Sequence, residues 1–312
     1  MKGLVALVFI IFLYYLFAYT ENISGLYQEF ESRLKVQSTP YLLLAFFLVA
    51  VNWWLEALKW QYLMKPIQAT PLGTAFRAVL IGISSSIFTP NRIGEYLGRV
   101  FATTRKHRWK AAVALSFGSL IQIAIISILG VIALMYFFGT DDVHLSISVP
   151  LYTLFALLVF ALASCLFFIG PLVNSFQGWI EKVYQKAWPQ IQFLIAFQKQ
   201  DLGVIFLLTS IRIFVYVVQY LALIRFFGVN VDSDLAICMI LITYLIQTGL
   251  PLPLLLGLMA RGEITLLVWN YLGVNELSIL AASYGLWVIN VVIPALVGMV
   301  IVLKLEPKIM QK

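Results

Sequence analysis

Residues 84–99 read SSSIFTPNRIGEYLGR, and this stretch interrupts an apolar region with a proline and then a charged segment. Arg92, Glu95 and Arg99 follow Pro90 at a spacing of i, i+3 and i+7, which places them on one face of a helix. If the flanking chain lies in a membrane, a break of this kind is tolerated only where protein or water surrounds the backbone. The stretch therefore predicts a broken helical segment beside a cavity.

The composition of the whole chain indicates a membrane protein. Of its 312 residues, 62% are hydrophobic and 11% are charged, against about 45 to 50% and about 25% in soluble domains. A bilayer span needs about 20 apolar residues. We therefore predict an all-α, polytopic integral membrane helical bundle that forms a single transmembrane domain over residues 1–312, with uninterrupted spans at 3–20, 40–58, 111–138, 150–170, 202–224 and 277–303.

Two further apolar stretches, 72–88 and 235–256, each end at a proline and are followed by charged residues. The second break is Pro251-Leu252-Pro253, and its return piece carries Arg261-Gly262-Glu263, which resembles Arg92-Ile93-Gly94-Glu95. Interrupted segments in corresponding halves of a chain point to inverted repeats with a site near the midplane. We expect two re-entrant helical hairpins, at about 72–108 and 235–272.

The distribution of Lys and Arg predicts the topology. Basic loops lie on the cytoplasmic side of a membrane, and a re-entrant first hairpin keeps all the basic loops together. The net charge of +7 then reports topology and not nucleic-acid binding. We predict a multi-pass protein of the cell membrane with both termini on the cytoplasmic side. The loops on that side are 59–71, 100–110 and 171–201, the last with an interfacial helix at about 172–198. The loops outside are 21–39, 139–149 and 225–234.

Ionisable residues at membrane depth are candidate functional groups, because each charge there costs about 2.5 to 3.5 kcal/mol on insertion scales. Arg212 is the clearest example, since it lies in the middle of the apolar run 202–224. The charges in and near the apolar segments leave an excess of two positive charges, which favours an anionic ligand. The predicted substrate-binding residues are Arg92, Glu95, Arg212, Arg261, Glu263 and Arg77.

Structural interpretations compete with this one. The charged residues can also be ion pairs between helices, and the positive-inside rule alone explains Arg99. Glu56 fits an interfacial pair with Lys59 or Lys65 as well as it fits a cavity. Trp53, Trp54 and Trp60 are expected to form an aromatic belt, and the serines at 84–86 are expected to bind backbone carbonyls freed at the break.

Several of these motifs resemble a known family. They are Thr89-Pro90-Asn91-Arg92-Ile93-Gly94-Glu95 with Arg99, the segment from Asn52-Trp53-Trp54 to Lys59-Trp60, and Arg261-Gly262-Glu263 with Leu272-Gly273. Together they are similar to the flippase-like membrane domain of lysylphosphatidylglycerol synthases, in a stand-alone form without the aminoacyl-transferase domain. The resemblance implies that a lipid crosses between leaflets through a cavity bordered by re-entrant helices.

The expected function is translocation of an anionic phospholipid or a lipid-linked headgroup between membrane leaflets. No G-x-x-x-x-G-K-[ST] motif for ATP occurs, and the two cysteines and two histidines show no metal-ligand spacing. We therefore expect no enzyme activity, no metal and no cofactor, with the lipid and the membrane as partners. The alternative is a membrane-embedded enzyme or accessory subunit that acts on a lipid-linked substrate.

Overall fold

The computed structural model describes residues 28, 38–86, 93–101, 103–139, 175, 188–250 and 254–304. All regular secondary structure in these ranges is helical, which confirms the predicted all-α class. Arg92, the predicted spans 3–20 and 150–170, and the loop 140–149 lie outside the described residues.

The described α-helices are numbered here in chain order. They are α1 Thr39–Met64, α2 Leu72–Ser86, α3 Ile93–Phe101, α4 Arg108–Phe138, α5 Trp188–Ile191, α6 Lys199–Phe226, α7 Ser233–Gly249, α8 Leu254–Trp269, α9 Glu276–Trp287 and α10 Ile293–Lys304. Short 3₁₀ turns precede α4, follow α5 and follow α8, and a π-helical segment, Val288–Val292, joins α9 to α10.

Four helical stretches in the described part of the chain are long and apolar enough to cross a membrane. They are Thr39–Met64, Arg105–Phe138, Lys199–Phe226 and Glu276–Ile301. These four match four of the six spans predicted from the sequence, and they confirm a polytopic membrane protein.

Helices α1 and α6 form an antiparallel pair at the centre of the bundle. The end of α1 meets the start of α6, where Lys65 Nζ lies 2.7 Å from Asp201 Oδ1. At the other end of the pair, the Gln219 side chain donates a 2.8 Å hydrogen bond to the Ala45 carbonyl. The two helices therefore carry their polar residues along a shared seam.

Helices α2 and α3 pack tightly against each other at glycines. A Cβ added at Gly98 would lie 2.6 Å from the Gly82 Cα, so only glycine permits this approach. The residues flanking the pair also meet, since Thr104 Oγ1 is 2.9 Å from Gln68 Oε1. With 15 residues, α2 is about 22 Å long, which is shorter than the roughly 30 Å hydrocarbon core.

Helices α7 and α8 form a second pair at the opposite end of the bundle. Near the start of α7, Cys238 Sγ is 2.9 Å from the Ala133 carbonyl of α4. Just after α8, the Tyr271 ring packs on Phe137 at 5.0 Å between centroids. The chain thus enters and leaves this pair beside the C-terminal end of α4.

The two ends of the bundle differ in charge. The basic end, where α1 stops and α6 starts, carries Lys65, Arg105, Lys106 and Lys199 against Asp201, whereas the acidic end, near Tyr271, carries Asp232, Asp234 and Glu276 against Arg225. The predicted interfacial helix 172–198 is described mainly over its last residues. There Phe193 and Phe197 are buried in the core near Phe117.

The π-helical segment has a cause in the sequence. Pro294 has no backbone N–H, and its ring crowds the carbonyl of Asn290 four residues earlier. The Ile293 N–H bonds the Val288 carbonyl, five residues back, and so widens the helix by one residue. Beyond this point α10 approaches α2 closely, because a Cβ at Gly298 would overlap the Leu80 carbonyl.

Candidate functional site

The described helices line a partly open cavity of about 510 Å³. Ser86, the last residue of α2, and Leu250, the residue after α7, both line it. The lining combines apolar side chains such as Ile126 and Leu258 with a group of charged residues from α1, α3, α6 and α8. This volume falls in the range of small-molecule sites.

Glu56 is the centre of the charged group. Its carboxylate is 3% exposed and contacts three cations. Oε1 lies 2.7 Å from Arg99 Nη1, and Oε2 lies 2.8 Å from Lys59 Nζ and 2.6 Å from Arg212 Nη1. Lys59 and Glu56 are one helical turn apart on α1, so a single face of this helix supplies both signs of charge.

Arg212 is fixed from three directions. Besides its ion pair with Glu56, its Nε donates to Asn52 Oδ1 at 2.8 Å and its Nη1 donates to Gln122 Oε1 at 2.9 Å. The rings of Trp53 and Tyr216 lie 5.7 and 5.5 Å from the guanidinium carbon. The guanidinium is thus held at the cavity wall with little freedom to move.

Arg99 links the two glutamates of the group. It is 1% exposed, and its Nη2 lies 2.6 Å from Glu95 Oε1 while its Nη1 bonds Glu56. Trp60 is also fully buried and packs 5.7 Å from the Arg99 guanidinium. The position of Arg99 is therefore internal, and the interfacial interpretation of this residue is wrong.

A chain of side-chain amides extends the charged group into the last helix. Asn52 donates to Asn290 Oδ1 at 3.0 Å, and Asn290 donates to Gln219 Oε1 at 3.1 Å. Asn290 lies in the π-helical segment, and such segments often occur at functional sites. The network therefore connects Arg212 to the one irregular turn of the final span.

Three buried hydrogen-bond donors at the cavity have no hydrogen-bond partner among the described residues. They are Trp53 Nε1, Gln247 Nε2 and the Tyr244 hydroxyl, and all three residues line the cavity. Buried polar groups without a partner are rare in folded proteins. These three donors are therefore buried behind the cavity lining without a hydrogen-bond partner among the described residues.

The comparison with known families decides the chain's membership. The model of the family described as "Lysylphosphatidylglycerol synthase TM region" matches residues 3–298. The chain belongs to this family. No curated protein and no solved structure gives a significant match. The predicted family is thus confirmed over residues 3–298, and the chain is a membrane protein of a lipid-associated family.

In this family member, three of the six predicted site residues share the cavity. Glu95, Arg212 and Arg261 all line it, although they come from α3, α6 and α8. Arg77 and Glu263 are exposed and do not line the cavity. Arg92 lies outside the described residues. Arg212 pairs with Glu56, which agrees with the ion-pair alternative, and both residues line the cavity.

The positive charge of the cavity comes from a different set of residues than the sequence predicted. Within the described part of the chain, Lys59, Arg99, Arg212 and Arg261 provide four cations, and Glu56 and Glu95 provide two carboxylates. The formal excess is therefore about two positive charges. Arg99 was already among the charges counted from the sequence, Lys59 is added to them, and Arg77 and Glu263 do not line the cavity.

Sequence reasoning placed Trp53 and Trp60 in the wrong environment, whereas Glu56 forms the predicted pair with Lys59 and also lines the cavity. Trp53 and Trp60 are 4% and 1% exposed, so they are not belt residues, while Trp54 is 52% exposed. The available signal was helical spacing, because positions 53, 56 and 60 fall on one face and position 54 does not. Ser84 and Ser85 both donate to the Ile81 carbonyl at 2.9 Å, which lies inside α2, and only Ser86 donates to a carbonyl of the last turn, that of Ile83 at 2.7 Å.

Proposed function

We propose that the chain translocates an anionic phospholipid or a lipid-linked phosphate headgroup between membrane leaflets, with the headgroup bound in the cavity. The observation that carries the proposal is the group of four cations against two carboxylates in and next to a cavity between apolar helices. Guanidinium groups match phosphate oxygens in bidentate geometry.

We propose further that α2 with α3 and α7 with α8 are re-entrant hairpins related as inverted repeats. Support comes from the contacts at their ends. Gln68 and Thr104 meet on either side of the first pair, and Phe137 meets Tyr271 beside the second. Each pair therefore starts and stops at one end of the bundle, and the two pairs do so at opposite ends. In this arrangement Ser86, at the end of α2, and Leu250, just after α7, line the same cavity, where headgroups would pass.

The charge difference between the two ends supports an orientation. Lys65, Arg105, Lys106 and Lys199 gather at the basic end, and the positive-inside rule assigns that end to the cytoplasm of a cell membrane. The acidic end then faces outside. In this orientation the pair α2 and α3 enters and leaves the membrane on the cytoplasmic side, and the pair α7 and α8 does so on the outside.

We propose that the lipid crosses without chemical modification. The ionisable groups at the cavity are engaged with one another in ion pairs, as in the contacts of Glu56 with Lys59, Arg99 and Arg212. Such groups stabilise a bound charge but do not form a nucleophile with an adjacent general base. The proposed partners are accordingly the lipid and the membrane.

The decisive experiment compares arginines inside and outside the cavity. The full chain is reconstituted into proteoliposomes, and translocation of a fluorescent phosphatidylglycerol is followed by chemical quenching of the outer leaflet. We expect Arg212→Ala to lose at least about tenfold in rate and Arg212→Lys to retain partial activity, because lysine keeps the charge and loses the fork. Arg77→Ala is the matched control, since Arg77 is exposed and outside the cavity. Equal rates in all four proteins would refute the proposal.

A further inference from the structure

Glu56 lies where a headgroup phosphate would contact the cavity arginines. Its Oε2 is 2.6 Å from Arg212 Nη1 and 2.8 Å from Lys59 Nζ. A carboxylate and a phosphate present similar acceptor oxygens to a guanidinium group. The carboxylate of Glu56 and a bound phosphate would therefore require the same donors on Arg212 and Lys59.

Resting on the proposed function, we infer that Glu56 is an internal anion that competes with the headgroup phosphate for Arg212. Glu56 thereby limits how tightly the lipid is held. Its role is to weaken binding, so it is a specificity-determining residue and not an additional ligand. The anion it excludes is a phosphate ester of a lipid.

The charge of the empty cavity requires such a group. Unpaired cations at membrane depth are costly, and Glu56 neutralises part of the charge of Lys59, Arg99 and Arg212 between passages of lipid. A transport site must also bind its ligand weakly enough to release it. Exchange of one anion for another at Arg212 meets both requirements, because the total charge around the guanidinium changes little.

The surrounding contacts allow the Glu56 carboxylate to move away from Arg212 while the Arg212 guanidinium stays in place. Arg212 is held independently of Glu56 by Asn52 at 2.8 Å and by Gln122 at 2.9 Å. Arg99 likewise retains Glu95 at 2.6 Å when its bond to Glu56 weakens. A rotation of the Glu56 side chain alone therefore exposes Arg212 to a headgroup without dismantling the rest of the cluster.

The test separates binding from transport. Binding of dioctanoyl phosphatidylglycerol and dioctanoyl phosphatidylcholine to the detergent-purified full chain is measured, together with translocation in proteoliposomes. For Glu56→Gln we expect phosphatidylglycerol to bind at least about tenfold more tightly, the value of one charge-assisted hydrogen bond. Phosphatidylcholine should change less, and phosphatidylglycerol translocation should become slower because release is impeded.

The matched control is Asp201→Asn, which neutralises a carboxylate paired with Lys65 at the basic end, outside the cavity. It should leave affinity and rate near wild type. If Glu56→Gln does not fold, Glu56→Asp decides the question, because it keeps the charge and shortens the side chain by about 1.5 Å. We then expect an intermediate gain in phosphatidylglycerol affinity.

Weaker or unchanged phosphatidylglycerol binding in a folded Glu56 variant would overturn the inference, as would tighter binding with undiminished translocation. A joint loss of affinity and rate would instead identify Glu56 as a purely structural residue. If the wild type moves no lipid, the proposed function fails, yet the affinity ratio between wild type and Glu56→Gln still reports whether Glu56 competes with phosphate.

Discussion

Asn52 and Asn290 are 238 positions apart in the chain, and their side-chain amides share a 3.0 Å hydrogen bond inside the bundle. Asn52 also accepts from Arg212, and Asn290 also donates to Gln219. The pair therefore joins the charged group on α1 to the π-helical segment before α10. Because α10 packs closely on α2 at Gly298 and Leu80, the last span is linked both to the cavity and to the first broken helix.

The first prediction tests the coupling between Asn52 and Asn290. A double-mutant cycle with Asn52→Ala and Asn290→Ala should give a coupling energy of about 0.6 kcal/mol, and no more than about 1.7, the range found for interhelical hydrogen bonds in membranes. The measurement is the free energy of unfolding in a denaturing detergent titration. Strictly additive effects of the two substitutions would mean that the bond contributes nothing.

The second prediction concerns the contact between α2 and α3. Gly98→Ala should cost about 1 to 3 kcal/mol, because its methyl group would lie 2.6 Å from the backbone of Gly82 and force the helices apart. Gly73→Ala is the control in the same pair, since a methyl group there meets nothing within 4 Å. Gly73→Ala should be neutral or slightly stabilising. Similar stability of both variants would contradict the close packing.

Apolar length and proline position were sufficient to predict the main elements of the fold. Four described spans match predicted ones. The helix before Pro90 ends at Ser86, and the helix before Pro251 ends at Gly249, as the predicted breaks require. These features depend on local chemistry, namely the length needed to cross a bilayer and the missing N–H of proline. Arg212 was also identifiable, because its depth follows directly from its place within an apolar run.

The partners of the charged residues required the tertiary structure. The positive-inside rule counts Lys and Arg near span ends, but it does not distinguish an arginine at the surface from one that packs under a tryptophan, as Arg99 does under Trp60. For Glu263 the error is the reverse, because the sequence predicted a site residue where the structure has an exposed one. Glu263 shares the Arg-Gly-Glu motif with Arg261, yet two residues along a helix point in different directions, and only Arg261 lines the cavity.

The third prediction tests the proposed topology. After Cys165 and Cys238 are replaced by serine, single cysteines are introduced at Thr104 and at Tyr271, both of which are exposed. A membrane-impermeant maleimide should label Tyr271→Cys on intact cells and Thr104→Cys only after permeabilisation. Gln68→Cys should behave like Thr104→Cys, because these side chains meet at 2.9 Å. Labelling of Thr104→Cys and Tyr271→Cys from the same side would exclude the re-entrant arrangement.

The fourth prediction distinguishes the two motif glutamates. Glu95 lines the cavity and holds Arg99 at 2.6 Å, so Glu95→Gln removes one of the two carboxylates that position this buried cation. We expect phosphatidylglycerol translocation to fall by roughly tenfold, the effect of losing one charge-assisted hydrogen bond. Glu263→Gln changes the same chemical group at an exposed position outside the cavity, and it should stay within about twofold of wild type.

Folding must be held constant in this comparison, because removing one partner of a buried ion pair destabilises a protein. Both variants are therefore first compared with wild type by detergent unfolding, and translocation rates are interpreted only for protein that remains folded. Glu95→Asp serves as the conservative variant and should recover part of the lost rate, since it keeps the negative charge next to Arg99. A translocation rate that falls in Glu263→Gln but not in Glu95→Gln would show that transport depends on the second motif and not on the cavity residue Glu95.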